Sequence, residues 1–137
     1  MIYRAVVSQK TIRVVAALIA QDGRYLITQR RANAVLPHLW EFPGGRVVEG
    51  ETDRAALRRE LRERLDVEVE VRHLISFVSH PYEHYTVNLY LYECALRTTA
   101  LVCKAVHTYR WVASVELDTV AFTPADEASM SKLLGEP

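Results

Sequence analysis

Residues 44–67 read GGRVVEGETDRAALRRELRERLDV, and this stretch sets the terms on which the rest of the chain can fold. It follows Trp40-Glu41-Phe42-Pro43 and opens with a glycine pair. Without a Cβ, paired glycines let the backbone turn tightly and leave a carbonyl or amide open to a ligand. Thr52 is placed as an N-cap, with Asp53 in the first turn at the positive end of the helix dipole. The helix is expected to run to about Leu65. Leu57, Leu61 and Leu65 recur every fourth residue, so they form a stripe that must face a core. At roughly 100° per residue, Ala56, Glu60, Glu63 and Arg64 share another face, expected to look away from that core.

The flanking sequence supplies the surface this helix needs. Residues 11–20 (TIRVVAALIA) are nearly all apolar and rich in β-branched side chains, the pattern of a strand buried on both faces. Asp22-Gly23 signals a turn, and residues 24–30 return as a hairpin arm. Residues 31–37 read as a loop, and residues 40–42 as a short strand ending at Pro43. Residues 67–71 and 74–79 suggest one bent or interrupted strand, and residues 84–96 a long one rich in Tyr, Val and Leu. After a loop at 98–105 come a strand at 108–113 and a short turn at 114–117. Pro124 opens a last helix over residues 125–134, closed by Gly135. The order β-β-β-α-β-β-β-α predicts an α+β fold, a mixed sheet flanked by helices, as a single domain over residues 1–137.

Charge narrows the partners. Lys+Arg and Asp+Glu number 17 each, which argues against a protein that grips duplex nucleic acid through a basic surface. A small anionic ligand held by a few local cations remains open. Cys94 and Cys103 form no Cys-x-x-Cys motif and read as buried thiols in a reducing compartment. The histidines lack zinc-site spacing as a group. Residues 1–11 show no signal-peptide core, and the longest apolar run, residues 14–20, is too short to span a bilayer. A soluble cytoplasmic protein with no membrane partner is expected.

Two carboxylates at i and i+3, Glu60 and Glu63, can hold a hard cation such as Mg²⁺ through oxygens and water. Glu51, eight residues before Arg59, is placed to bridge the loop to the back of the helix. A magnesium ion between a loop and a helix is a usual device for neutralising phosphates during hydrolysis. The same run also contains Arg59–Glu63 and Glu60–Arg64 at i,i+4, pairs that merely support a solvated helix. The residues alone leave both readings open.

The pattern Gly45-x5-Glu51-x7-Arg59-Glu60-Leu61-x-Glu63 resembles the Nudix box, G-x5-E-x7-R-E-U-x-E-E-x-G-U with U aliphatic, and the final aliphatic falls on Val67. Residues 27–31, 39–45, 110–112 and 124–126 extend the likeness to the MutT-type, CTP pyrophosphohydrolase-like branch of that family. The resemblance implies a Nudix-type α/β/α sandwich. It also implies a Mg²⁺-dependent (alternatively Mn²⁺-dependent) pyrophosphohydrolase of nucleoside triphosphates, acting on modified or oxidised dGTP or on a cytidine nucleotide as a monomer or homodimer. It assigns Glu60, Glu63, Arg59 and Glu51 to catalysis, and Glu60, Glu63 and the Gly44 carbonyl to the metal. Arg30 falls at a ligand contact, with an ordinary strand-end cation as the other reading. Phe42 and Tyr82 are expected to pack on the base. Asp126 is expected to read the base edge as an acceptor, or else to stabilise the helix dipole.

The chain departs from the box at Arg64, where a second Glu belongs, and at Asp66, where Gly belongs. Residues 101–107, from which family members often add a carboxylate, contain no acid, and Ala105 fills the matching place. Arg64 is placed to pair with Glu60 and compete with the metal. Glu41 or Glu83 is available as a replacement carboxylate. A nucleotide-binding module that has lost its chemistry is the alternative these departures raise.

Overall fold

The computed structural model describes residues 10–135. Its elements are β1 (Lys10–Gln21), β2 (Arg24–Gln29), β3 (Trp40–Glu41), β4 (Gly44–Arg46), α1 (Asp53–Leu65), β5 (Val69–Pro81), β6 (Tyr85–Leu96), β7 (Thr108–Ala113) and α2 (Pro124–Leu133), with a short 3-10 helix at Ser114–Thr119 before α2.

Strand β1 is the hub. Along one edge it pairs in parallel with β6, from Lys10↔Tyr85 to Ile19↔Cys94. Its other edge is shared by two antiparallel partners. Strand β4 takes Val14 to Ala16, and β2 takes Ala20 and Gln21. Strand β5 extends the sheet beyond β6, while β3 and β7 flank β2. The sheet is mixed, as expected.

Side chains alternate between the faces of a strand, and β1 has a core on each. Val15, Ala17 and Ile19 pack in one cluster with Leu57, Leu61 and Leu65 of α1. Ala16 and Leu18 pack in the other with Phe42, Leu89, Leu91, Ala125 and Met130, the last two from α2. This is why residues 15–19 carry no polar side chain. Each fully buried leucine of the α1 stripe contributes roughly 1.5–3 kcal/mol of transfer free energy.

Several expectations are corrected. Gly44-Gly45 is not a turn but part of β4, hydrogen-bonded beside β1. Ala56 and Glu60 are buried rather than facing away, because β4 and its flanking loop cover that side of α1. Cys94 is buried but Cys103 is exposed. Strand β3 ends at Glu41, and β5 is continuous, with register shifts between Val71 and Leu74 and between Leu74 and Ser76. The turn expected at 114–117 is the 3-10 helix. The reading of residues 1–9 lies outside the described residues.

Candidate active site

The site starts from how α1 is seated. The Thr52 hydroxyl accepts the Ala55 N–H at 3.1 Å, the expected cap. Asp53 does more than answer the helix dipole. Its carboxylate accepts Arg13 Nε and Nη2 at 2.8 and 2.7 Å and the Tyr92 hydroxyl at 2.5 Å. The bond from Arg13 holds it below the usual carboxylate range. The first turn of α1 is thereby tied to β1 and β6.

Arg59 organises the middle of the helix. Its Nε and Nη2 donate to Glu51 at 2.7 and 3.0 Å, the bridge expected from the spacing. Nη1 reaches Glu60 Oε1 at 2.9 Å and Glu63 Oε2 at 3.1 Å, and Nη2 also donates to the Arg46 carbonyl at 2.9 Å. One guanidinium therefore fixes both box carboxylates and the end of β4. The bond from Arg59 also holds the Glu51 carboxyl below its ordinary range.

The glycine pair is needed for close approach. A Cβ on Gly44 would lie 2.0 Å from the Val15 carbonyl oxygen, and one on Gly45 would lie 2.2 Å from Glu60 Oε2. The Ala17 N–H donates to the Pro43 carbonyl and the Val47 N–H to the Arg13 carbonyl, so odd-numbered residues bond toward β1. Strand alternation turns the Gly44 carbonyl the other way, to the same side as the Arg46 carbonyl that Arg59 engages.

Beside β4 opens a cavity of about 220 Å³, lined by Arg30, Glu41, Phe42, Gly44, Gly45, Arg64, Tyr82 and Asp126 among others. Arg30 donates to Glu41 at 3.1 Å and to the Val35 carbonyl at 2.6 Å. Burial pushes the Glu41 carboxyl above its ordinary range, and Arg30 opposes this. Tyr82 stacks on Tyr85 with centroids 5.2 Å apart, and its hydroxyl accepts the Ala125 N–H at 3.2 Å. Of the two replacement carboxylates, Glu41 lines the cavity, while Glu83 is exposed beside His84 on the turn between β5 and β6.

Two expectations for this cavity change. Phe42 is 2% exposed and stacks on Phe122, so it lines the cavity from within the core rather than as an open base-stacking surface. Asp126 is not a free ionised acceptor. Its oxygens take the Phe42 N–H at 3.0 Å and the Thr123 hydroxyl. Burial, reinforced by Glu41, pushes its carboxyl up to about 7. Thr123, which caps α2, and Tyr85 were not anticipated as cavity residues; the Thr-Pro pair at the helix start was the available signal for Thr123.

Chemically, the Glu60 and Glu63 carboxylates and the Gly44 carbonyl suit a hard cation. Among the described residues no three Asp, Glu, His or Cys side chains converge as a metal cluster. A hard cation held by these groups would take its remaining ligands from water and phosphate. Glu60 is already occupied: Oε1 accepts Arg59, and Oε2 accepts Arg64 Nε at 2.7 Å. The acid-free loop packs by its backbone on the end of α1. Its Val102, Lys104 and Ala105 N–H groups donate to the carbonyls of Leu65 and Arg64 at 2.9–3.2 Å.

A mixed sheet between two helices, with a glycine strand backing the carboxylates of the first helix and a cavity beside them, defines a Nudix domain. Residues 14–132 match the NUDIX domain family, and the chain belongs to it. It is similar to the CTP pyrophosphohydrolase of Escherichia coli K12, 48% identical over 67 residues, a match spanning 49% of this chain and 50% of that relative. It is 35% identical over 121 residues to the putative 8-oxo-dGTP diphosphatase 2 of Mycobacterium tuberculosis, covering 88% of this chain and 86% of the relative. Among solved structures, the E. coli ORF135 protein superposes with a TM-score of 0.79 at 30% identity, covering 93% and 91% of the two chains. Among the described residues no helix is long and apolar enough to cross a membrane.

Proposed function

We propose that this chain is a Mg²⁺-dependent pyrophosphohydrolase that converts a nucleoside 5′-triphosphate to the monophosphate and pyrophosphate. The observation that carries this reading is the network of Glu51, Arg59, Glu60 and Glu63 seated behind Gly45 at the edge of the cavity. Glu60, Glu63 and the Gly44 carbonyl would hold the cation. When bound, Mg²⁺ neutralises the bridging phosphates and orients water. Arg59 and Glu51 act as positioning residues: Arg59 holds Glu60, Glu63 and the Arg46 carbonyl at once, and Glu51, which also accepts the Val48 N–H, anchors Arg59. Arg30 grips phosphate or sugar at the cavity wall.

Substrate choice follows from Tyr82 and Asp126. A carboxyl poised near neutrality offers an O–H donor in one state and only acceptors in the other. This suits both oxidised guanine and cytosine edges, the two substrate types named for the relatives. The test is a panel of nucleoside triphosphates, including CTP, dCTP and 8-oxo-dGTP, incubated with Mg²⁺ or Mn²⁺. Monophosphate release that EDTA abolishes and Glu63→Gln strongly reduces is expected. No release above blank across the panel would remove the enzyme reading. The hold of Arg64 on Glu60 favours a second reading, a nucleotide-binding module with negligible turnover.

A further inference from the structure

Arg64 stands where the box pattern calls for a carboxylate, and the site is built around its charge. Its Nε donates to Glu60 Oε2 at 2.7 Å, and its side chain is about one-third exposed, at 29%. It lines the same cavity as Arg30 and Glu41. Both arginines act on Glu41, Arg30 by direct bonds and Arg64 through its charge. Its backbone is fixed, because its carbonyl accepts the N–H groups of Lys104 and Ala105. Among the described residues its guanidinium makes one hydrogen bond, through Nε. The arrangement is one of alternating charge from Arg30 through Glu41, Arg64 and Glu60 to Arg59.

We propose that Arg64 is a substrate-binding residue: it holds Glu60 in the metal-free protein, and releases it to grip the triphosphate of an incoming nucleotide opposite Arg30. This rests on the pyrophosphohydrolase reading and deepens it. A guanidinium prefers phosphate because the planar fork can make two parallel charge-assisted bonds to its oxygens, against the one bond it makes to Glu60. Its release frees Glu60 Oε2 for the cation. The nucleotide and the cation thus help one another to bind. The side chain that replaced a family carboxylate supplies to the phosphates part of the positive charge that a second cation would bring.

The experiment measures binding apart from turnover. A non-hydrolysable CTP or dGTP analogue is titrated into the full chain by calorimetry in EDTA, with wild type, Arg64→Gln and Arg64→Lys. Mn²⁺ binding to the nucleotide-free proteins is followed by electron paramagnetic resonance. Wild type should bind the analogue without metal. R64Q should weaken that binding roughly tenfold, and R64K, which keeps the charge without the fork, should recover only part of it. R64Q should bind Mn²⁺ more tightly than wild type, because Glu60 has lost its competitor. A circular-dichroism melt confirms that each variant is folded, and R64K supplies the answer if R64Q is not. Equal analogue affinity in wild type and R64Q, or no wild-type binding without metal, would overturn the Arg64 assignment. If wild type still releases monophosphate with Mg²⁺, that failure leaves the enzyme reading intact. Neither binding nor release with Mg²⁺ would remove both.

Discussion

At the residue scale, Gly45 is glycine because the Glu60 carboxylate fills the space a side chain would need. An added Cβ would meet Glu60 Oε2, Cδ and Oε1 at 2.2, 2.3 and 2.7 Å. That carboxylate is held at both oxygens by Arg59 and Arg64, so it cannot yield freely. Gly45→Ala should cost about 1–3 kcal/mol, the range for overpacking. It should also lower turnover at least tenfold while α1 remains helical, checked by urea melts and steady-state kinetics. Asp126 gives a prediction with a definite sign. Its carboxyl is pushed from 3.8 in the unfolded chain up to about 7 in the fold, so the fold favours the proton. Its contribution to stability is full below about pH 4 and is lost as pH rises through about 7. Asp126→Asn should flatten that slope, read from urea midpoints across this range. Sequence marked Asp126 as a site residue, but its titration depends on burial and on Glu41, which no local pattern records.

At the element scale, α1 was legible nearly to the residue. Its cap, its leucine stripe and its end at Leu65 follow from local rules of period and capping. Its C-cap is Asp66 in the left-handed region, with φ 55° and ψ 43°, and its N–H bonds the Arg62 carbonyl at 3.0 Å. An L side chain there carries a steric cost that glycine avoids, partly offset by the extra freedom glycine has in the unfolded chain. Asp66→Gly should therefore raise stability by about 0.5 kcal/mol, seen as a higher melting midpoint with no change in helix content. Strand β4 was not legible. Three residues beginning Gly-Gly have no strand propensity, and they are extended only because β1 offers an edge and α1 leaves no room for side chains.

At the scale of the whole molecule, β1 joins everything. It lies between β6 and the β2 and β4 edge, with one core on each face. Its amides at residues 15–19 should exchange most slowly with solvent, at rates set by global unfolding, while the loop at 101–107 exchanges sooner; native-state hydrogen exchange checks this. The sequence by itself determined the mixed α+β architecture, the helix faces and the spacing from Gly45 to Glu63, since these rest on periodicity and short-range chemistry. Only the tertiary structure decided which polar groups are buried and whom they face. It stacked Phe42 on Phe122, sank Glu60 behind Gly45, and buried Asp126 beside Glu41. The physical reason is that desolvation and charge pairing depend on neighbours brought from distant parts of the chain, and the pattern within any one segment does not contain them.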